Sequence, residues 1–335
     1  MSGQVASRRR IEIPRGAQVL PAAEPYALVG LLVALVVFFS VFPKTSNTFL
    51  TAANLRNLAA TQAVIAIAAL AALIPLICAQ FDVSIGAVLG GASFAIAELL
   101  HKTSLPLGVA LVLGIGMAGV VGLLNGLIVA YIRANSFIIT LGMATLVTGL
   151  VSLASNDQTV VGVPDAMTRF GSGNWLGVPR PGWLMLVVAV GCAYGLRHTL
   201  IGRRATSIGA NPRAARLVGI RVERVVCGAF VLAGLLAGLA GALQLARSGA
   251  TNPQIGPGFT LSALAAAFLG STTIRPGQFN VPGTIVGVFF VAVSVNGLTL
   301  AGAASWVDPV FNGAAVVLAV SLSTVLAARR GLHQA

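Results

Sequence analysis

The sequence predicts an all-α membrane protein, a polytopic bundle of about ten transmembrane helices, and three observations carry that expectation. Hydrophobic residues fill 57% of the 335 positions and charged residues only 9%, against roughly a quarter charged in a soluble domain. Mean hydropathy is +0.93. Apolar runs close to the ~20 residues that cross a bilayer as a helix recur from one end of the chain to the other. The 39 glycines and the 6% of aromatic residues suit helices packed closely in lipid, where small residues let backbones approach.

In chain order, a basic tail over 1–25 carries Arg8, Arg9, Arg10 and Arg15 ahead of the first apolar run, 26–42. That run is followed by Pro43-Lys44 with no small-residue cleavage pattern, so it is expected to stay as a first span rather than be removed as a signal peptide. Further spans are expected at 58–79, 84–100, 105–131, 136–154, 182–196, 225–246, 259–273, 281–300 and 309–328, of which 182–196 and 259–273 are short. Residues 26–328 therefore form one transmembrane domain, with a C-terminal tail over 329–335.

Sorting the 21 basic residues between alternate loops sets an orientation. With the N-terminus inside, one side collects the four N-terminal arginines, Arg133, Arg197, Arg203, Arg204, Arg213, Arg216, Arg221, Arg224, Arg275, Arg329 and Arg330. The other side receives only Lys44, Arg56, Lys102, Arg169, Arg180 and Arg247. Lysine and arginine concentrate on the cytoplasmic side of membrane proteins, so both termini and the 197–224 loop are expected in the cytoplasm. The net charge of +13 follows from such a topology without a nucleic-acid partner. The loop from Ser155 to Gly182 falls outside, with Trp175 and Trp183 where interfacial aromatics sit.

An internal echo suggests an inverted repeat of spans 2–5 and 7–10. Phe81-Asp82-Val83-Ser84 opens the third span and Phe259-Thr260-Leu261-Ser262 the eighth; Asn125-Gly126-Leu127 lies in the fourth and Asn296-Gly297-Leu298 in the ninth.

Enzymatic chemistry has little to work with, and no catalytic, cofactor or metal residues are assigned. His101, His198 and His333 stand at span ends or in the tail, and none has a cysteine or carboxylate at ligand spacing. Lys44 and Lys102 follow Pro43 and His101, so no G-x-x-x-x-G-K-[ST] phosphate loop exists and ATP hydrolysis belongs elsewhere. Cys78, Cys192 and Cys227 lie in apolar runs as small hydrophobes, with no disulfide expected.

Asp82 is the one carboxylate between two long apolar runs, and two roles are open to it and to Ser84. An ionisable group at membrane depth is a pathway candidate; a carboxylate just before a helix also accepts from free backbone N–H groups and meets the positive end of the dipole. Glu98 is expected to snorkel from a span end. Asn57, Thr61, Gln62, Thr140 and Asn296 are candidate pathway-lining residues, although such groups more often make interhelical hydrogen bonds.

The densest charge lies in GRRATSIGANPRAARLVGI, from residue 202. Asn211 is a good N-cap, Pro212 suits the first helical position, Arg213, Ala214, Ala215 and Arg216 continue into about two turns over 213–218, and Gly219 suits a left-handed stop. So short a helix is marginal in water and needs a partner.

These residues resemble the sugar-type permeases of bacterial ABC importers, the type II group that includes ribose, xylose and galactose permeases. The likeness runs from 54 to 328: Asn54-Leu-Arg-Asn-Leu, FDVSIGA at 81–87, SFIITLGM at 136–143, the arginine-rich stretch with Gly209, and LGSTTIRPGQFNVPGT at 269–284. Gln80 stands where the family often has glycine, and STTIRPGQFN replaces a Gly-Gly-rich turn. The resemblance implies import of a sugar or similar small polar solute, a second permease subunit, cytoplasmic ATP-binding subunits, a periplasmic solute-binding protein, and location in the bacterial inner membrane. It makes residues 211–219 a coupling helix seated in the ATPase. The alternative is a secondary transporter, for which Asp82 is the one evident ion-site candidate.

Overall fold

The computed structural model describes residues 24–329. The N-terminal tail up to residue 23, with its four arginines, and the C-terminal tail from residue 330, with His333, lie outside the described residues. The helices are α1 (Ala27–Val41), α2 (Ala52–Ile77), α3 (Ile85–Lys102), α4 (Leu107–Tyr131), α5 (Ser136–Ser155), α6 (Asp165–Ser172), α7 (Arg180–His198), α8 (Leu200–Ala210), α9 (Pro212–Leu217), α10 (Val222–Ser248), α11 (Pro257–Gly270), α12 (Val281–Leu300) and α13 (Val307–Arg329). Two antiparallel pairs of two-residue strands accompany them: β1 (Val160–Val161) with β4 (Ala250–Thr251), and β2 (Asn174–Trp175) with β3 (Val178–Pro179).

Every apolar run of the sequence holds a helix, but not every helix is a full crossing. Among the described residues, α2, α3, α4, α5, α10 and α12 are each long and apolar enough alone, and α7 with α8 makes a seventh candidate bent by 72°. α1, α11 and the apolar part of α13 are shorter. The expected ten thus counts apolar helices, whereas six qualify as spans by length and composition.

The centre is built from α2, α3 and α10. In α2 the run Ala66–Leu73 is buried on all sides, as expected of a helix apolar all round. α10 packs against α4 through glycines on both: a Cβ on Gly122 would stand 2.3 Å from the Phe230 carbonyl oxygen, and one on Gly234 2.4 Å from that of Ala118. α5 is the opposite case, with Leu146, Leu150 and Leu153 exposed along its outer side.

The inverted repeat is visible in the architecture. α10, α11, α12 and α13 each begin about 170 residues after α2, α3, α4 and α5. Phe81 stacks on Phe268, Gly86 meets Thr260 and Gly90 meets Gly256, so α3 and α11 run antiparallel. Both follow non-helical chain, residues 78–84 before α3 and 252–256 before α11; the first turn of α3 is buried, whereas Pro257 and Gly258 of α11 are exposed. Asn125 and Asn296 hold matching places in α4 and α12. The other echo is shifted: Phe81–Ser84 precedes α3 in extended chain, whereas Phe259–Ser262 lies within α11. A four-residue match fixed no register between them.

The 155–182 segment is a folded tie. Trp183 Nε1 donates to the Trp175 carbonyl at 3.2 Å, the Arg180 guanidinium lies 5.3 Å from the Trp175 ring centre, and Arg56 Nε donates to the Gly177 carbonyl at 3.1 Å. The two tryptophans thus bind the loop to itself. Glu98 pairs with Lys102 on the next turn of α3.

Candidate functional sites

At one end of the bundle the arginine-rich stretch forms two helices, where sequence alone suggested one. α7 stops at His198, and Thr199 caps the next helix by accepting from the Gly202 N–H at 3.3 Å. A Cβ on Gly202 would stand 2.2 Å from the Leu196 oxygen, so the 72° bend requires glycine there. α8 then crosses the end of α2, and a Cβ on Gly209 would come within 2.0 Å of the Ile77 oxygen. The signal for α8 was present: Thr199 precedes LIGRRATSIGA, whose Ala205 and Ile208 are the buried positions.

α9 follows with its ends made as its residues dictate. Asn211 Oδ1 accepts from the Ala214 N–H at 3.0 Å, and Pro212 begins the helix. At the far end the Ile220 N–H reaches the Ala215 carbonyl and the Gly219 N–H that of Arg216, both at 3.0 Å, with Gly219 at φ +82°. This is a Schellman stop. Ala215 is buried beneath it, Arg216 pairs with Glu223 at 2.8 Å, and Ala214 and Arg213 lie on the surface. Leu217 and Val218, 89% and 76% exposed, form an apolar tip that charge counting overlooked.

A second cluster surrounds the break between α2 and α3. α2 also ends in a Schellman stop, with Ala79 at φ +57° in the place glycine usually takes. The extended chain beyond it is held by α5: the Phe81 N–H donates to Ser136 Oγ and the Val83 N–H to Thr140 Oγ1, both at 3.0 Å. Asp82 is buried, and its Oδ1 accepts from the Ser84 N–H at 2.9 Å and from Ser84 Oγ at 2.6 Å. Asn125 Nδ2 donates to the same Ser84 Oγ at 2.9 Å. Asp82 thus serves the amide of Ser84, which holds the N-cap position of α3 without a side-chain cap bond, while the first-turn amide of Gly86 donates to Thr260 Oγ1 of α11 at 3.2 Å. Thr260, a partner from the other repeat, carried no local signal.

Four of the five pathway candidates meet elsewhere. Asn57, Thr61 and Gln62 of α2 and Asn296 of α12 line one cavity of about 280 Å³, far along α2 from Ile77, together with Ser262, Asp308 and Asn312. Asn296 and Asn54 also exchange amide hydrogen bonds at 3.0 and 3.1 Å, and Arg247 Nη2 donates to Thr61 Oγ1 at 2.9 Å. Thr140 stands apart from this cavity, fully buried at the α2–α3 break.

An inverted repeat whose α3 and α11 pack antiparallel between the halves, with a capped helix pair laid across one end, is the build of a helical membrane transport component. The chain belongs to the family described as branched-chain amino acid transport system / permease component, which matches residues 54–320. It is similar to the ribose import permease of Escherichia coli (strain K12), 33% identical over 86% of this chain and 91% of that protein. It is also similar to the L-arabinose ABC transporter permease of Azospirillum brasilense, 30% identical over 87% and 86% of the two chains. A third relative, the D-allose transport system permease of Escherichia coli (strain K12), is 27% identical over 90% and 91%.

Proposed function

We propose that this protein is the permease subunit of an ATP-driven importer for a sugar or similar small polar solute, with α9 as its coupling helix. The observation that carries the proposal is α9 itself: six residues with both ends built, one side buried through Ala215, and an apolar tip presented outward. A helix so short holds its shape through contacts, and its exposed side waits for a partner. The names of the ribose, arabinose and allose relatives support the sugar class.

On this proposal the chain sits in the bacterial inner membrane with both termini cytoplasmic and pairs with a second permease subunit, a copy of itself or a sister chain. Cytoplasmic ATP-binding subunits receive α9, and a periplasmic binding protein delivers the solute. The ATPases drive the permease between states only through the difference in their affinity for each. α9 rests on α8, and α8 rests on the end of α2 at Gly209, so displacement of α9 reaches the central helix directly. The solute passes at the centre of the permease pair.

The test is ATP hydrolysis by the reconstituted complex with and without loaded binding protein. Arg213→Glu with Arg216→Glu, and separately Gly219→Val, are expected to insert normally and lose the stimulation by loaded binding protein. Full stimulation in both variants rejects α9 as the coupling element. Topology is read by labelling single cysteines in a protein lacking the native three: one at Ser207 should be shielded from impermeant reagent in intact cells, and one at Ser172 should react. The reverse pattern rejects the orientation.

A further inference from the structure

The two repeats treat equivalent helix pairs differently. α4 closes on α10 through Gly122 and Gly234, leaving no room for even a Cβ at either. The matching pair in the second repeat is α12 on α2, and there a cavity of about 280 Å³ remains, with Val288 and Val291 on its α12 wall. The fold can close this seam and does so once, so the opening is set by the residues that line it on α2 and α12 and not by the helix pairing itself.

Its walls are of two kinds. Gln62, Asn57 and Asn312 offer amides, Ser262 a hydroxyl and Asp308 a carboxylate whose Oδ1 already accepts from Asn312, while the valines offer an apolar surface. Asn312 is 4% exposed; its Nδ2 donates to the Asp308 carbonyl and to Asp308 Oδ1, and its Oδ1 is buried with no partner among the described residues. A buried carbonyl oxygen without a donor is a costly arrangement, and a ligand O–H would satisfy it. Amides both give and accept, which matches hydroxyls that do the same. The volume equals about nine waters at ~30 Å³ each, below the range of drug-sized pockets.

We propose that this cavity is a binding site for a neutral polyhydroxy ligand of monosaccharide size, one within each permease subunit and separate from the path at the centre of the pair. A sugar ring has hydroxyls along its edge and C–H groups on its faces, so the amide wall takes the edge and the valine wall a face. The choice of sugar rests on the proposed import function; the site itself rests on the cavity. Solute at this position occupies the seam that would have to close for α12 to pack on α2 as α4 packs on α10.

The experiment is saturation-transfer NMR on the full-length permease in lipid nanodiscs, with D-ribose, L-arabinose and D-allose as probes. At least one sugar is expected to receive saturation. Gln62→Leu on α2 and Ser262→Ala on α11 should each weaken it by roughly two- to tenfold, the worth of one hydrogen bond. Thr145→Val, on the outer side of α5, should leave it unchanged. Ser262→Ala removes a single hydroxyl and guards against loss through misfolding. Unchanged binding in both cavity variants, loss confined to Thr145→Val, or no sugar bound by the wild type would each overturn the site. Coupled ATP hydrolysis is measured separately, so a complex that couples while its permease binds no sugar rejects the cavity and not the importer, and the converse result rejects the importer alone.

Discussion

Gly209 and Ile77 touch without a side chain between them: a Cβ on Gly209 would stand 2.0 Å from the Ile77 oxygen. The last turn of α8 is thereby seated on the end of the most buried helix in the bundle. Small adjustments can relieve a clash with a flexible side chain, but here the opposing atom is backbone. Gly209→Ala is therefore expected to push α8 off α2, with an overpacking cost of about 1–3 kcal/mol. Thermal unfolding of the purified permease should fall accordingly, and stimulation of the ATPase should drop while membrane insertion is retained. Wild-type stability and coupling in Gly209→Ala would show that α8 and α2 move independently.

Asn211→Ala removes the acceptor for the Ala214 N–H. Loss of such a cap costs about 0.5–2 kcal/mol, and a six-residue helix has no length to absorb it. Hydrogen exchange of the α9 amides should accelerate with α10 unaffected, and Asn211→Asp should restore protection. Equal protection in the alanine variant would mean that packing of Ala215 alone holds the helix.

Much of this was legible in the residues. The α9 ends could be read because Asn, Pro and Gly act through their own backbones, within a few residues of where they stand. The apolar runs located ten of the thirteen α-helices for the same reason. α8 was missed because its arginines hid an apolar stripe through Ala205 and Ile208. Thr260 capping Gly86, and the cavity joining Gln62 to Asn312, depend on chain segments far apart in sequence and became visible only with the fold. The FDVS and FTLS match failed because similarity of letters carries no register.

Asp82 gives a third prediction. Its Oδ1 accepts from both the amide and the hydroxyl of Ser84, and Asn125 completes the chain. An asparagine oxygen can accept both bonds, whereas alanine leaves a buried amide and hydroxyl unmatched at about 1–3 kcal/mol. Asp82→Asn is expected to keep stability and transport better than Asp82→Ala. If Asn abolishes transport in a well-folded protein and Ala is no worse, the charge itself is used in transport.

Ala79 offers a stabilising change. It is exposed and sits at φ +57°, in the place where a Schellman stop favours glycine. An L-residue in that region costs roughly 1–2 kcal/mol, offset in part by the greater freedom of glycine in the unfolded chain. Ala79→Gly should raise the thermal midpoint of the purified permease modestly. A lowered midpoint would show that the alanine methyl makes contacts worth more than the strain.

The last prediction concerns Leu217 and Val218. These side chains project from the stop of α9 at 89% and 76% exposure, while Ile220, two residues on, turns back into the core. The Schellman turn at Gly219 is what divides them, sending one pair outward and holding the next residue in. Arg216 is already engaged with Glu223, whereas the apolar pair stands outside the core at the end of the helix. Buried against the proposed ATP-binding partner, each would contribute about 1.5–3 kcal/mol, enough to decide whether such a partner stays bound. Leu217→Ser with Val218→Ser should leave the permease folded and inserted, because neither side chain is part of its core. Co-purification of the ATP-binding subunits should fall at least tenfold, beyond the effect of Arg213→Glu, whose exposed charge is worth about 1 kcal/mol or less. If the serine variant retains its ATPase and the arginine variant loses it, the contact is electrostatic and the apolar tip lies outside it.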